Sequence, residues 1–293
     1  MHFLLLCILS STGIFVVFKS INRYGIPSFP IIVINYLTAT ILGFMIYSGP
    51  SGPSAILGSR WLPISALIGV MFILMFFLVA YSSRKAGLSV TTVASKMSVI
   101  FPIAFSLMID PSDRLNLMKS AAILIALGGV VLTVYKPAKV KSDRSVIFVP
   151  LLLFVGMGIV DSLVKLAQQN FVHDNETALF SAILFLNAFL SGILAMFFYR
   201  KHRRQFLKLK AWGWGLLLGA VNFGSIFFLV RALNFRSDAG SGMDGSVIFG
   251  ANNISIVALS VLVGLLVFKE KLSFINWMGI VLSALALLLF TLV

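Results

Sequence analysis

Lys96 and Asp161 stand well inside long apolar stretches of the chain, and a charge there needs a reason. Moving one to the middle of a bilayer costs about 2.5–3.5 kcal/mol or more, so such groups face a protein interior or a wet cavity. Lys96 lies about two turns into the run 89–110, at a depth of roughly 11 Å by helical rise. Asn252 and Asn253 reach a similar depth in the run 246–268 from the opposite face. A cation and two amides converging in this way can grip a carboxylate and its polar neighbours. The structural alternative is a lysine that snorkels or meets helix-end carbonyls, with amides that merely join helices. Asp161 and Lys165 are one helical turn apart, so they share a face and can form an i,i+4 pair. Asp161 is a candidate proton-coupling group; the alternative is a structural ion pair at a cavity edge. Lys19, at the end of the run 3–19, either guards a cavity mouth as the counterpart of Lys165 or snorkels, and Arg231 reaches the headgroup region.

Neutral polar groups add candidates. Asn35, Asn187 and Asn222 sit inside apolar runs, where an unpaired amide is costly. Substrate contact and inter-helix bonding explain them equally, and Tyr36 offers a hydroxyl or an aromatic wall. Phe72 to Phe77 reads as core or lipid-facing surface. Small residues (Ala121, Ala122, Ala126, Gly128, Gly129, and Ser283, Ala284, Ala286) permit close helix approach. His2, His173 and His202 fall at loop or terminal positions. No His-Glu-x-x-His, phosphate-loop or Gly-x-Ser-x-Gly pattern is present, so no enzymatic activity and no cofactor or metal are expected.

The elements that must position these residues follow from composition. The chain has 293 residues, 59% apolar and 11% charged, against roughly 25% charged in soluble domains. Its natural solvent is lipid. The net charge of +14 comes from basic residues between apolar runs, as the positive-inside rule disposes them, so nucleic acid is not an expected partner. The single cysteine, Cys7, excludes an internal disulfide and reads as packing. The apolar start from Phe3 lacks a basic n-region and a cleavage site, and reads as a retained first span. Ten runs are long enough to span: 3–19, 28–48, 61–82, 89–110, 117–135, 146–168, 177–199, 211–233, 246–268 and 273–293. Continuous apolarity makes them helices rather than barrel strands.

The runs repeat. Phe76-Phe77-Leu78-Val79 recurs as Phe227-Phe228-Leu229-Val230, and Asn35 and Tyr47 fall on Asn187 and Tyr199. Ser89-Val90, Ala94 and Ser98 fall on Ser246-Val247, Ala251 and Ser255; Gly13-Ile14 falls on Gly158-Ile159. The expected architecture is all-α, ten transmembrane helices in two five-helix halves, 1–138 and 139–293, around a central cavity. Five is odd, so the halves are inverted, which suits alternating access to a midplane site. The connection Asn234 to Gly245 reads as a flexible loop or lid. Basic residues at 136–144 and 200–210 share a face with Arg23, Arg84, Lys85, Lys269 and Lys271, and the charge rule puts that face in the cytoplasm and both termini outside.

Each half closes in an acidic-basic-Leu turn before a small-residue-rich helix: Glu270-Lys271-Leu272 through Trp277 and Gly279, and Asp113-Arg114-Leu115 before Gly128-Gly129. With Ala86 to Ala94 leading to Pro102, the chain resembles the drug/metabolite transporter superfamily, in particular its EamA-type members. That resemblance implies a ten-helix basket and transport of small metabolites, often export of amino acids; the family's usual topology has cytosolic termini, against the charge count. Leu259 stands where repeat symmetry with Pro102 would have a proline, and Lys96 departs from the small or neutral residue expected there. The expected function is secondary transport of a small polar or anionic, amino-acid-like metabolite in a bacterial inner membrane. Its expected partners are that substrate, the lipid bilayer and protons, and a homodimer is compatible with the chain. A non-transporting scaffold or receptor is the alternative.

Overall fold

The computed structural model describes residues 2–47, 56–101, 117–135, 145–172, 176–198, 200–233 and 245–291. Eleven helices order the described residues: α1 (His2–Arg23), α2 (Ser28–Ile46), α3 (Leu62–Lys85), α4 (Leu88–Met97), α5 (Leu117–Val134), α6 (Ser145–Asn170), α7 (Thr177–Phe198), α8 (Arg200–Phe206), α9 (Leu209–Leu233), α10 (Gly245–Leu266) and α11 (Phe274–Thr291). Six of them, α1, α2, α3, α6, α7 and α9, contain stretches long and apolar enough to cross a membrane; α5, α10 and α11 contain shorter apolar stretches. Large side chains such as Leu5, Met45, Leu74, Leu124 and Phe197 point outward, a surface suited to lipid rather than water. The chain is a membrane-embedded helical protein. His173, Pro102, the Asp113 turn, the basic segment 136–144 and the segment 234–244 lie outside the described residues.

Helix ends differ from the apolar runs for physical reasons. α1 continues to Arg23 and α3 to Lys85, past the points where the first polar residues end each run. The cations sit in the last turns, where the negative end of the helix dipole favours them. The run 89–110 is not one uninterrupted helix: α4 stops at Met97, Ser98 and Val99 form a turn, and Phe101 N–H bonds back to Ser98 O at 2.9 Å. The sequence supplies the cause, since Pro102 has no N–H to give the Ser98 carbonyl. α10, with Leu259 at the related position, runs unbroken.

Packing falls into two apolar clusters. One is built mainly from α1, α2, α3, α6, α7 and α9, with Phe18, Ile34, Tyr36, Trp61 and Phe180 fully enclosed. The other joins α4, α5, α10 and α11 through Val93, Ala126, Val257 and Ile280. The most extensive helix pairs are α5 with α11, α1 and α2 with α9, α2 with α7, and α3 with α6 and α7; α1 also meets α10, and α4 meets α6 and α10. Glycine sets the approach. A β-carbon on Gly129 would sit 2.9 Å from Ser283 N, and one on Gly279 would sit 2.7 Å from Gly129 O, so α5 and α11 touch backbone to backbone. Asn276 then serves both helices. It pairs reciprocally with Ser273 to start α11, and its Nδ2 donates to Thr133 O and Tyr135 O at 2.8 and 2.9 Å to finish α5.

Candidate functional site

A carboxylate from the α10–α11 connection closes one end of the helix assembly. Glu270 accepts hydrogen bonds from the backbone N–H of Leu88 and Ser89 and from Ser89 Oγ, capping the N-terminus of α4, which has only Gly87 as its own cap residue. Lys19 Nζ, from α1, pairs with Glu270 Oε1 at 2.9 Å and donates to Ser83 O at 3.0 Å. Asn22, one turn further, donates to Ala80 O and Ser83 Oγ on α3. Two glycines make room: a β-carbon on Gly87 or Gly264 would lie 2.8 Å from the Glu270 carboxylate, and Gly87 has φ +100°. Lys19 therefore ties α1 to α3 and to the α10–α11 connection.

Burial alone would raise the Glu270 carboxyl, but the Leu88 N–H, the Lys19 ammonium and the Ser89 N–H together hold it below its ordinary value of 4.5. A folded-state value below the unfolded one means that the bridge stabilises above the unfolded value and loses that contribution as pH falls through the depressed one. Thermal midpoints of the purified protein are therefore expected to fall through the acid range below about pH 4.5. In Glu270→Gln this part of the acid dependence disappears, and the midpoint at pH 7 drops by about 5–10 °C, taking about 3 kcal/mol for a broken buried pair. A Glu270→Gln profile superimposable on wild type would remove Glu270 from the lock.

The second cluster lies deeper. Lys96 occupies the last turn of α4, about 12 Å from the helix start by rise. The negative end of the α4 dipole attracts its ammonium. Asp161 on α6 accepts a hydrogen bond from Ser98 Oγ at 3.0 Å and interacts electrostatically with Lys96. The two charges are not in direct contact, since Lys96 makes no ion pair or hydrogen bond to a described residue. Both side chains are only partly buried although they belong to helices packed on several sides. Asp161 is thereby engaged with α4. Lys165, one turn away, is half-buried.

Cys7 on α1 joins this cluster. Its thiol donates to Ser225 O on α9 at 3.2 Å and lies within electrostatic reach of Asn252 on α10 and of Lys96. Three buried polar atoms of α1, α9 and α10 have no partner among the described residues: Thr12 Oγ1, Asn222 Nδ2 and Asn252 Oδ1. Unpaired buried polar atoms are costly and need water or a ligand. Asn253, beside Asn252, is half-buried. The sequence reading of Cys7 as packing missed this. The available signal was a polar stripe on α1, Cys7 and Ser11 one turn apart beside Ser10 and Thr12.

Other candidates lie elsewhere. Tyr36 is wholly buried, gives its hydroxyl to Phe72 O at 2.9 Å and stacks among Phe72, Phe76 and Phe185. Its hydroxyl and its ring are thus engaged within the aromatic cluster. Asn35 is equally buried, its Nδ2 turned to Ile32 O of its own helix at 3.4 Å and its Oδ1 unpartnered among the described residues. Close helix approach explains its enclosure, because a β-carbon on Gly219 would lie 2.8 Å from Asn35 O. Asn187 donates to Ser65 Oγ at 3.0 Å and joins α7 to α3. Arg231 is exposed over the Phe227 ring.

No family model matches the chain. A protein of Haemophilus influenzae, described as uncharacterized, is 27% identical over 291 residues, which span 97% of this chain and 95% of that one. A solved structure described only as the crystal structure of a protein matches with a TM-score of 0.56 at 15% identity, covering 98% of this chain and 96% of that chain. The likeness extends over nearly the whole length and concerns the fold.

Proposed function

We propose that the chain is a secondary transporter, an exporter of a small polar or anionic, amino-acid-like metabolite, working by alternating access between two inverted five-helix halves. The observation that carries this reading is the pair Lys96 and Asp161, opposite charges on packed helices that interact without an ion pair between them. A zwitterion fits between them, its carboxylate on the lysine and its ammonium on the aspartate. The buried, unpartnered Asn222 Nδ2 and Asn252 Oδ1 are the further donor and acceptor this reading assigns to the substrate. Asp161 is also the carboxylate able to exchange a proton when substrate leaves.

Ten spanning helices and inverted halves are supported by how the helices pair. Exchanging α1 with α6, α2 with α7, α3 with α9, α4 with α10 and α5 with α11 turns the α1–α9 contact into α6–α3, α2–α9 into α7–α3, and α1–α10 into α6–α4. Gly69 against Asn187 and Gly219 against Asn35 repeat one close approach in both halves. Together with the turn motifs, this favours the resemblance to EamA-type drug/metabolite transporters. The bacterial inner membrane is the setting that agrees with a full-length bacterial relative.

The test is flux. Purified protein in liposomes, with and without a proton gradient, is offered amino acids, organic acids, nucleosides and cationic drugs. Counterflow of zwitterionic or anionic members is expected. If none moves, and no member raises the thermal midpoint, the chain is a scaffold or receptor.

A further inference from the structure

At the basic end, apart from the Lys96–Asp161 pair, two recesses of about 460 and 450 Å³ share the walls Asn22 and Arg84. The first is bordered by Lys19, Arg23, Arg84 and Lys269. Helix dipoles account for a cation at the end of α1 or of α3, but not for several cations converging on one hollow. Glu270 is already committed to Lys19 and to the α4 N-terminus. Arg23, Arg84 and Lys269 are exposed and have no carboxylate partner among the described residues. This repulsion is relieved by an anion.

The second recess says what kind. α2 begins in its wall at Ser28, and the cap residue Pro27 provides no side-chain bond to the first turn. Pro30 removes one N–H from the first turn, so the Ser28 N–H and hydroxyl beside the Arg84 guanidinium are the groups a phosphate would meet. Gln205 from α8 lines the same recess, and its Oε1 is buried with no donor among the described residues. It calls for a hydroxyl. Phe29, Phe77 and Tyr81 supply an apolar wall for the ligand body.

We propose that the double recess binds a phosphate ester whose body carries a hydroxyl group, the phosphate between Arg84, Lys269 and the start of α2 and the hydroxyl on Gln205 Oε1. Two sources supply this chemistry, the headgroup of an anionic phospholipid and a soluble polyol phosphate. The site is independent of the transport reading.

The full chain in phosphatidylcholine nanodiscs separates the sources. Phosphatidylglycerol is introduced at increasing mole fraction, or glycerol 3-phosphate, inorganic phosphate or chloride is added at matched ionic strength, with the thermal midpoint and bound adducts in native mass spectra as readouts. Saturable stabilisation by phosphatidylglycerol or glycerol 3-phosphate beyond chloride is expected, and whichever acts identifies the source. The variants Arg84→Gln and Lys269→Asn, the latter chosen because Asn tolerates the φ of +53° at that position, should each weaken the apparent affinity at least about tenfold. Gln205→Leu should retain phosphate binding and lose the preference for glycerol 3-phosphate over inorganic phosphate. No stabilisation beyond chloride, or equal affinity in wild type and both cation variants, overturns the site; equal binding of inorganic phosphate and glycerol 3-phosphate by wild type overturns the hydroxyl contact. Because both cations are exposed, their replacement leaves the helix packing in place.

Discussion

Lys96→Met is expected to abolish transport in proteoliposomes while the protein remains folded, with a thermal midpoint within a few degrees of wild type. Methionine keeps the length of the side chain and discards its charge. Lys96 bonds to no described residue, so its removal strands no structural partner there, and Asp161 keeps its bond from Ser98. What is lost is the cation that meets the substrate carboxylate. Removing one member of a buried charge pair costs about 2–5 kcal/mol, which corresponds to about 30- to several-thousand-fold in affinity. Lys96→Arg retains the charge in a larger, planar group and should keep part of the flux. Unchanged flux in Lys96→Met would take Lys96 out of the site. A collapse of the thermal midpoint would make its role structural.

Lys96 and Asp161 were legible in the sequence because a charge inside an apolar run contradicts its surroundings, and only a polar interior resolves the contradiction. Six of the spans were legible for the complementary reason, as bilayer thickness fixes their length. Cys7 and Ser98 carry no such contradiction, since a thiol or hydroxyl sits in an apolar helix without announcing itself. Glu270 was visible only as part of a turn motif. Its partners, Leu88 and Ser89, are some 180 positions away in sequence, and a cap supplied across that distance has no local signature. The enclosure of Tyr36 was not readable, because its aromatic neighbours Phe72, Phe76 and Phe185 come from other helices. The break after Met97 was marked by Pro102, but hydropathy carries no information about backbone hydrogen bonds and merged both sides into one run.

The lock around Glu270 and the thiol of Cys7 give the alternating-access reading its own measurement. Cys7 is the only cysteine of the chain and is fully buried beside Asn252 and Lys96, so its alkylation reports whether water reaches this cluster. In wild type, Lys19 and Glu270 tie α1 and the start of α4 to the α10–α11 connection at the basic end. Glu270→Gln leaves an amide that still accepts a bond from Ser89 but no longer holds the lysine by charge. If that bridge belongs to one of two alternating states, losing about 3 kcal/mol of state-specific interaction shifts their ratio by up to about a hundredfold. A membrane-impermeant maleimide applied from the basic side should then label Cys7 about 10–100 times faster than in wild type, and saturating substrate should slow it. Cys7→Ser supplies the blank. Faster labelling from both sides equally would mean local unfolding rather than opening of one end, and an unchanged rate would mean that the bridge at the basic end does not control access to Lys96.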